Sequence, residues 1–114
     1  MNRRRPEPRV HIDVPVSFVH DDGTRTPGRA IDVSVSGIRV EADAPPPFGS
    51  SLEVRLRLPG SIRKVTLPAV VRWVRGRVVG LQFGLLGVRE TYLITALAQQ
   101  RSLTLGTEDV AWIG

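Results

Sequence analysis

A chain of 114 residues that is 41% hydrophobic and 5% aromatic can bury one modest core, and nothing in its composition suggests disorder. It has no cysteine, which excludes disulfides, thiolate catalysis and cysteine-bound zinc, and its two histidines fit no metal-ligand spacing. The net charge is +5, from 16 basic and 11 acidic residues, and every basic residue except Lys64 is arginine, so an anionic partner is compatible with the surface.

The N-terminal stretch Arg3-Arg4-Arg5-Pro-Glu-Pro-Arg9 is basic but is followed by no apolar run, so it is not a signal peptide. No segment reaches the roughly 18 apolar residues a membrane helix needs, and the expected location is the cytoplasm, with no membrane partner. Pro6 and Pro8 forbid a helix here. Arg9 stands at the entrance to the first strand, and Arg5 lies at most ~13 Å away if the chain is extended. By charge alone this arm is a solvated basic leader; by spacing, two guanidinium groups could clamp a compact dianionic ligand from two sides.

From Val10 to Phe18, apolar residues alternate with His11, Asp13, Pro15 and Ser17, the period-2 pattern of a half-buried strand. Pro15 falls on the outward side, which suits an edge or a bulge. Residues 20–24 carry Asp-Gly and read as a hairpin turn. In the next strand, starting at Ala30, Ile31, Val33 and Val35 are expected to point inward, leaving Asp32, Ser34 and Ser36 on the opposite face. A carboxylate there can accept from a guanine N1–H and its amino group, and a serine hydroxyl can donate or accept. Gly37 signals a tight turn, a bulge or a close backbone approach, and Ile38 to Val40 resumes the strand. By composition alone, residues 32–37 are an outward polar face ending in a turn.

A proline-rich loop over 45–50 precedes a clean alternation of Leu52, Val54, Leu56 and Leu58. Val65, Leu67, Ala69, Val71 and Trp73 define a long inward-facing strand, bent near Pro68, and Val78 to Phe83 supplies the last strand, with Gly80 allowing a close approach. Phe18, Trp73 and Phe83 are expected in the core. After Gly87, Leu93, Ile94, Leu97 and Ala98 recur at helical spacing, predicting a helix over 88–101 of about three turns. Residues 102–114 then form a tail. The organisation is a single domain: arm 1–9, barrel 10–86, helix 88–101, tail 102–114. Short strands followed by one helix indicate a barrel or sandwich covered at one end.

No phosphate loop, nucleophile triad or tuned carboxylate pair is present, so the chain is not expected to be an enzyme, and no cofactor is expected. The ordered pair Arg5-Pro-Glu-Pro-Arg9 and Asp32-Val-Ser-Val-Ser-Gly37 resembles the R-x-x-x-R and D/N-x-S-x-x-G signature of the PilZ domain family. The resemblance extends over about residues 3 to 101. It implies an all-β fold, a six-stranded antiparallel split barrel with a C-terminal helix. It also implies a site for cyclic di-GMP built from Arg5, Arg9, Asp32, Ser34 and Gly37. Arg4, just before the first motif arginine, implies two intercalated ligand molecules per site. The chain begins only a few residues before the motif, so rotation of a preceding domain is not expected. The resemblance thus implies a stand-alone receptor that changes conformation on ligand binding and signals to a separate effector protein. The alternative is a PilZ-fold protein–protein adaptor with weak or absent nucleotide binding. Specific nucleic-acid binding is not expected, because such modules interleave stacking aromatics with basic residues, and aromatics are only 5% of this chain.

Overall fold

A computed structural model describes residues 8–113, with side chains described through residue 100. Six strands, β1 (Val10–Val19), β2 (Arg25–Val33), β3 (Gly37–Glu41), β4 (Ser51–Leu56), β5 (Val65–Arg75) and β6 (Val78–Phe83), precede a helix α1 (Val88–Ile113). All strand pairs are antiparallel, and the order β1-β2-β3-β6-β5-β4 closes into a barrel through β1 and β4. The expected all-β, six-stranded barrel with a C-terminal helix is therefore the fold. The β1–β4 seam is short, running from Val16↔Leu56 to Val19↔Glu53. Pro15, which has no N–H to give, sits on β1 just before that seam begins.

The alternating residues fill the barrel. Phe18, Val33, Ile38, Val40, Val54, Leu67, Val71 and Val79 have no exposed surface, and Leu52, Leu56 and Leu58 are buried with them. Ile94 and Leu97 of α1 belong to the same apolar cluster, with Leu93 and Ala98 packed at its margin. This is the i, i+3, i+4 stripe that the sequence assigns to the helix, and it closes the barrel as a lid of side chains.

Several local expectations are corrected. β2 starts at Arg25, five residues before the expected Ala30, because Pro27 and Gly28, which look like turn residues, pair with Ser17 and Val16 of β1. Gly28 is there because Val40 packs against it: a Cβ would lie 2.7 Å from Val40 Cγ1. Ile31 is not a core residue, since the register slips between Ala30 and Asp32 and makes it the extra residue of a bulge. Val35, 38% exposed, lies beyond the end of β2. Trp73 also leaves the core: a second slip, between Val71 and Trp73, turns its indole outward over Gly80. The helix is longer than the expected 88–101 and continues to Ile113, so residues 102–113 are helical rather than a tail. No proline interrupts that stretch, and a lone Gly106 costs only about 1 kcal/mol against alanine.

Candidate functional site

Strand register sets one row of residues across five strands of the outer wall. His11 pairs with Asp32, Asp32 with Arg39, Arg39 with Gly80, and Gly80 with Trp73. Directly paired residues project to the same side of a sheet, so this row is a continuous strip of outward positions. Gly80 has no side chain to keep the indole of Trp73 off the wall, and a Cβ there would collide with it. Arg75 lies over the indole at 5.1 Å, a cation–π contact.

Asp32 stands on the outer wall, as its parity in the sequence requires. It is not displayed to solvent, however: its side chain is only 7% exposed. Two arginines cover it. Arg9, at the entrance to β1, donates from Nε at 2.9 Å and from Nη2 at 2.8 Å to Oδ1. Arg39, directly opposite on β3, donates from Nε at 2.8 Å and also from Nη2 to Oδ2. Both guanidinium groups keep an outer edge in water, with side chains 40% and 45% exposed. Net charge of the trio is therefore positive by one.

Burial pushes the Asp32 carboxyl up, but the hydrogen bonds and charges of Arg39 and Arg9 outweigh it and hold the group below its ordinary value of 3.8. Arg39 is raised in turn by its bond to Asp32, against a smaller opposing effect of burial. A carboxyl whose folded value is depressed adds stability above its unfolded value and loses it as pH falls through the folded one. Asp32→Asn is therefore expected to lower stability at neutral pH, by about 1–2 kcal/mol because both partners are nearly half exposed. The gap in unfolding midpoint from wild type should close as pH drops below about 4. A gap that stays constant down to pH ~2 would mean that the ion pairs contribute nothing.

Ser34 does not share the face of Asp32. β2 ends at Val33, and Ser34 opens the turn to β3, where it is 1% exposed. Its N–H donates to the Gly37 carbonyl at 2.8 Å, and its Oγ accepts from the Ser36 N–H at 3.2 Å, a local bond typical of serine in turns. Expecting Ser34 beside Asp32 treats the strand as one residue too long. The same turn is tied to β6, where the Phe83 N–H donates to the Ser36 carbonyl at 2.8 Å. Of the readings open for Gly37, the structure selects the close approach: it is buried at the start of β3, and a Cβ would strike the carbonyl oxygen of Leu81 on β6.

The structure thus brings Arg9 and Asp32 into direct contact, with Ser34 and Gly37 in the adjoining turn. Arg4 and Arg5 lie outside the described residues. Arg39 was missed by sequence reasoning, because it looks like any outward strand residue. The one available signal is distance across a tight turn, since it lies seven positions after Asp32. Among the described residues no cluster of His, Cys, Asp or Glu could hold a metal ion.

Comparison with known proteins places these features in context. A family model described as the PilZ domain matches residues 3–99. A cellulose synthase catalytic subunit (UDP-forming) from Xanthomonas axonopodis pv. citri is 37% identical over 75 residues, covering 66% of this chain and 10% of that protein. The Bacillus subtilis inhibitor of motility MotI/DgrA superposes with a TM-score of 0.75 at 22% identity, covering 90% of this chain and 53% of that one. The PilZ domain of Escherichia coli YcgR, solved with c-di-GMP, has a TM-score of 0.68 at 12% identity and covers 96% and 98% of the two chains. The chain therefore spans a tenth of the synthase subunit and about half of MotI/DgrA. At these identities the solved structures establish a shared fold.

Proposed function

The chain belongs to the PilZ domain family, and from that premise we propose that it is a receptor for cyclic di-GMP, without catalytic activity of its own, that passes the signal to a partner protein. A PilZ domain is a ligand-binding module rather than a catalytic one, and the YcgR domain of this fold was solved with c-di-GMP. The observation that carries the reading is Arg9, the second arginine of the motif, anchored on the motif aspartate Asp32 with its outer edge open to water. Cyclic di-GMP carries two phosphates and two guanines. A guanidinium fork matches both the phosphate oxygens and the O6/N7 edge of guanine. In this reading Arg5 closes over the ligand opposite Arg9, Arg4 supports a second, intercalated ligand molecule, and Ser34 and Gly37 shape the turn beside it. A change of conformation on ligand binding is what an effector reads. The domain then works in the cytoplasm; among the described residues no helix is long and apolar enough to cross a membrane.

A second reading, a PilZ-fold adaptor that binds proteins and little or no nucleotide, is favoured by one observation. Leu85, in the connection before α1, and Val88 and Tyr92, in its first turns, are 95%, 89% and 67% exposed. Calorimetric titration of the protein with cyclic di-GMP separates the two. The receptor reading expects saturable heat at ligand concentrations of roughly 10 μM or below, with two ligands per chain. An absence of binding at ~100 μM, weaker than about −5.5 kcal/mol, would leave the adaptor.

A further inference from the structure

A carboxylate offers about four lone-pair positions on its two oxygens. Four N–H donors already reach Asp32: Nε and Nη2 of Arg9 on Oδ1, and Nε and Nη2 of Arg39 on Oδ2. A guanine that presented its N1–H and amino group to this carboxylate would first have to expel a guanidinium. The donors not spent on Asp32 belong to the arginines, roughly three of five on each. They face water on the outer wall, since Arg9 and Arg39 are 40% and 45% exposed while Asp32 is 7% exposed. Arg39 also has room around it. Its directly paired neighbour on β6 is Gly80, which offers no side chain, and the indole of Trp73 lies over that glycine.

We propose that Arg39 is a third ligand-contacting arginine of this site, and that Asp32 is a positioning residue which holds the heads of Arg9 and Arg39 side by side. The inference rests on the receptor reading above and deepens it. Asp32 fixes two long, otherwise mobile side chains, so their ordering cost is met before ligand arrives. The trio keeps one positive charge, which suits a ligand bearing phosphates. The shared chemistry is an acceptor edge, supplied either by a phosphate oxygen or by guanine O6 and N7.

The test is calorimetric titration of cyclic di-GMP into the wild-type protein and the Arg39→Gln and Arg39→Lys variants, at about 50 and 300 mM salt, with cyclic di-AMP as a second ligand. Arg39→Gln is expected to bind cyclic di-GMP ~10-fold more weakly or worse, the low end of a lost bidentate contact. If the contact is to phosphate, the salt dependence of Kd becomes shallower in Arg39→Gln and Arg39→Lys restores part of the affinity. If it is to guanine, the preference for cyclic di-GMP over cyclic di-AMP narrows and lysine restores little. Wild-type affinity in Arg39→Gln overturns the proposal. So does a weakened affinity with both salt dependence and guanine preference unchanged, because Arg39 would then act only through Asp32. Failure of the wild-type protein to bind removes the receptor reading itself, a different outcome from a wild-type protein that binds and an Arg39→Gln variant that binds equally well.

Discussion

Replacing Arg9 by alanine is expected to weaken cyclic di-GMP binding by about 100-fold while leaving the barrel folded. Two losses act in the same direction. The first is the direct one: a charge-assisted or bidentate guanidinium contact is worth roughly 2 kcal/mol. The second comes through Asp32. Without Arg9, Oδ1 loses both of its donors and the trio of Arg9, Asp32 and Arg39 falls from one positive charge to neutrality. An anionic ligand then approaches an under-compensated carboxylate, at a cost of about 1 kcal/mol in a partly hydrated site. The fold does not depend on Arg9 to a comparable degree, since its side chain is 40% exposed and stands outside the apolar cluster. Calorimetry measures the affinity, and circular dichroism of the variant shows whether the barrel persists. Binding within a few-fold of wild type in a folded Arg9→Ala protein would end the receptor reading as built on this arginine.

The second large effect is expected at Gly37, and it is on stability. Its motif position suggests a glycine kept small for a flat base. The packing also gives it a structural role, because β3 and β6 run so close at this point that an added Cβ meets the Leu81 carbonyl oxygen. That oxygen is backbone within a paired strand and has little freedom to yield. Overpacking of this kind costs about 1–3 kcal/mol, and a main-chain obstacle belongs at the upper end. Gly37→Ala should therefore lower the unfolding midpoint by roughly 10 °C for a domain of this size. The two roles predict different orders of failure. A glycine reserved for ligand leaves thermal stability intact and loses affinity; a glycine reserved for strand approach loses stability first. A Gly37→Ala protein that melts with the wild type would contradict the packing described here.

Much of the fold is legible from alternation alone. Leu52, Val54, Leu56 and Leu58 are buried as their period-2 spacing requires, and so are Val65, Leu67, Ala69 and Val71. Ile94 and Leu97 follow from the helical spacing in the same way. What alternation cannot show is where a strand gains a residue. The bulge at Ile31 and the slip before Trp73 each change parity inside a run that looks regular, and each bears on the outer wall: the first lies beside Asp32, and the second carries Trp73 out of the barrel. The site was legible to the extent that it is written in local motifs, with Arg9 and Asp32 in contact as their pairing implies. Arg39 was invisible because its role comes from a cross-strand neighbour, and sequence spacing carries no such information until the turn between β2 and β3 has been located. Ser34 was misjudged for the same reason, since the end of β2 decides whether its hydroxyl faces outward or folds back into the turn.

Closure of the six strands into a ring has a mechanical consequence. Every strand is laced to a neighbour on each flank, so no stave of the cask can shift without tearing ladder bonds on both sides. On the receptor reading proposed above, a messenger would settle on the outside of this drum, and a neighbouring protein would detect it as a relief newly formed on the exterior.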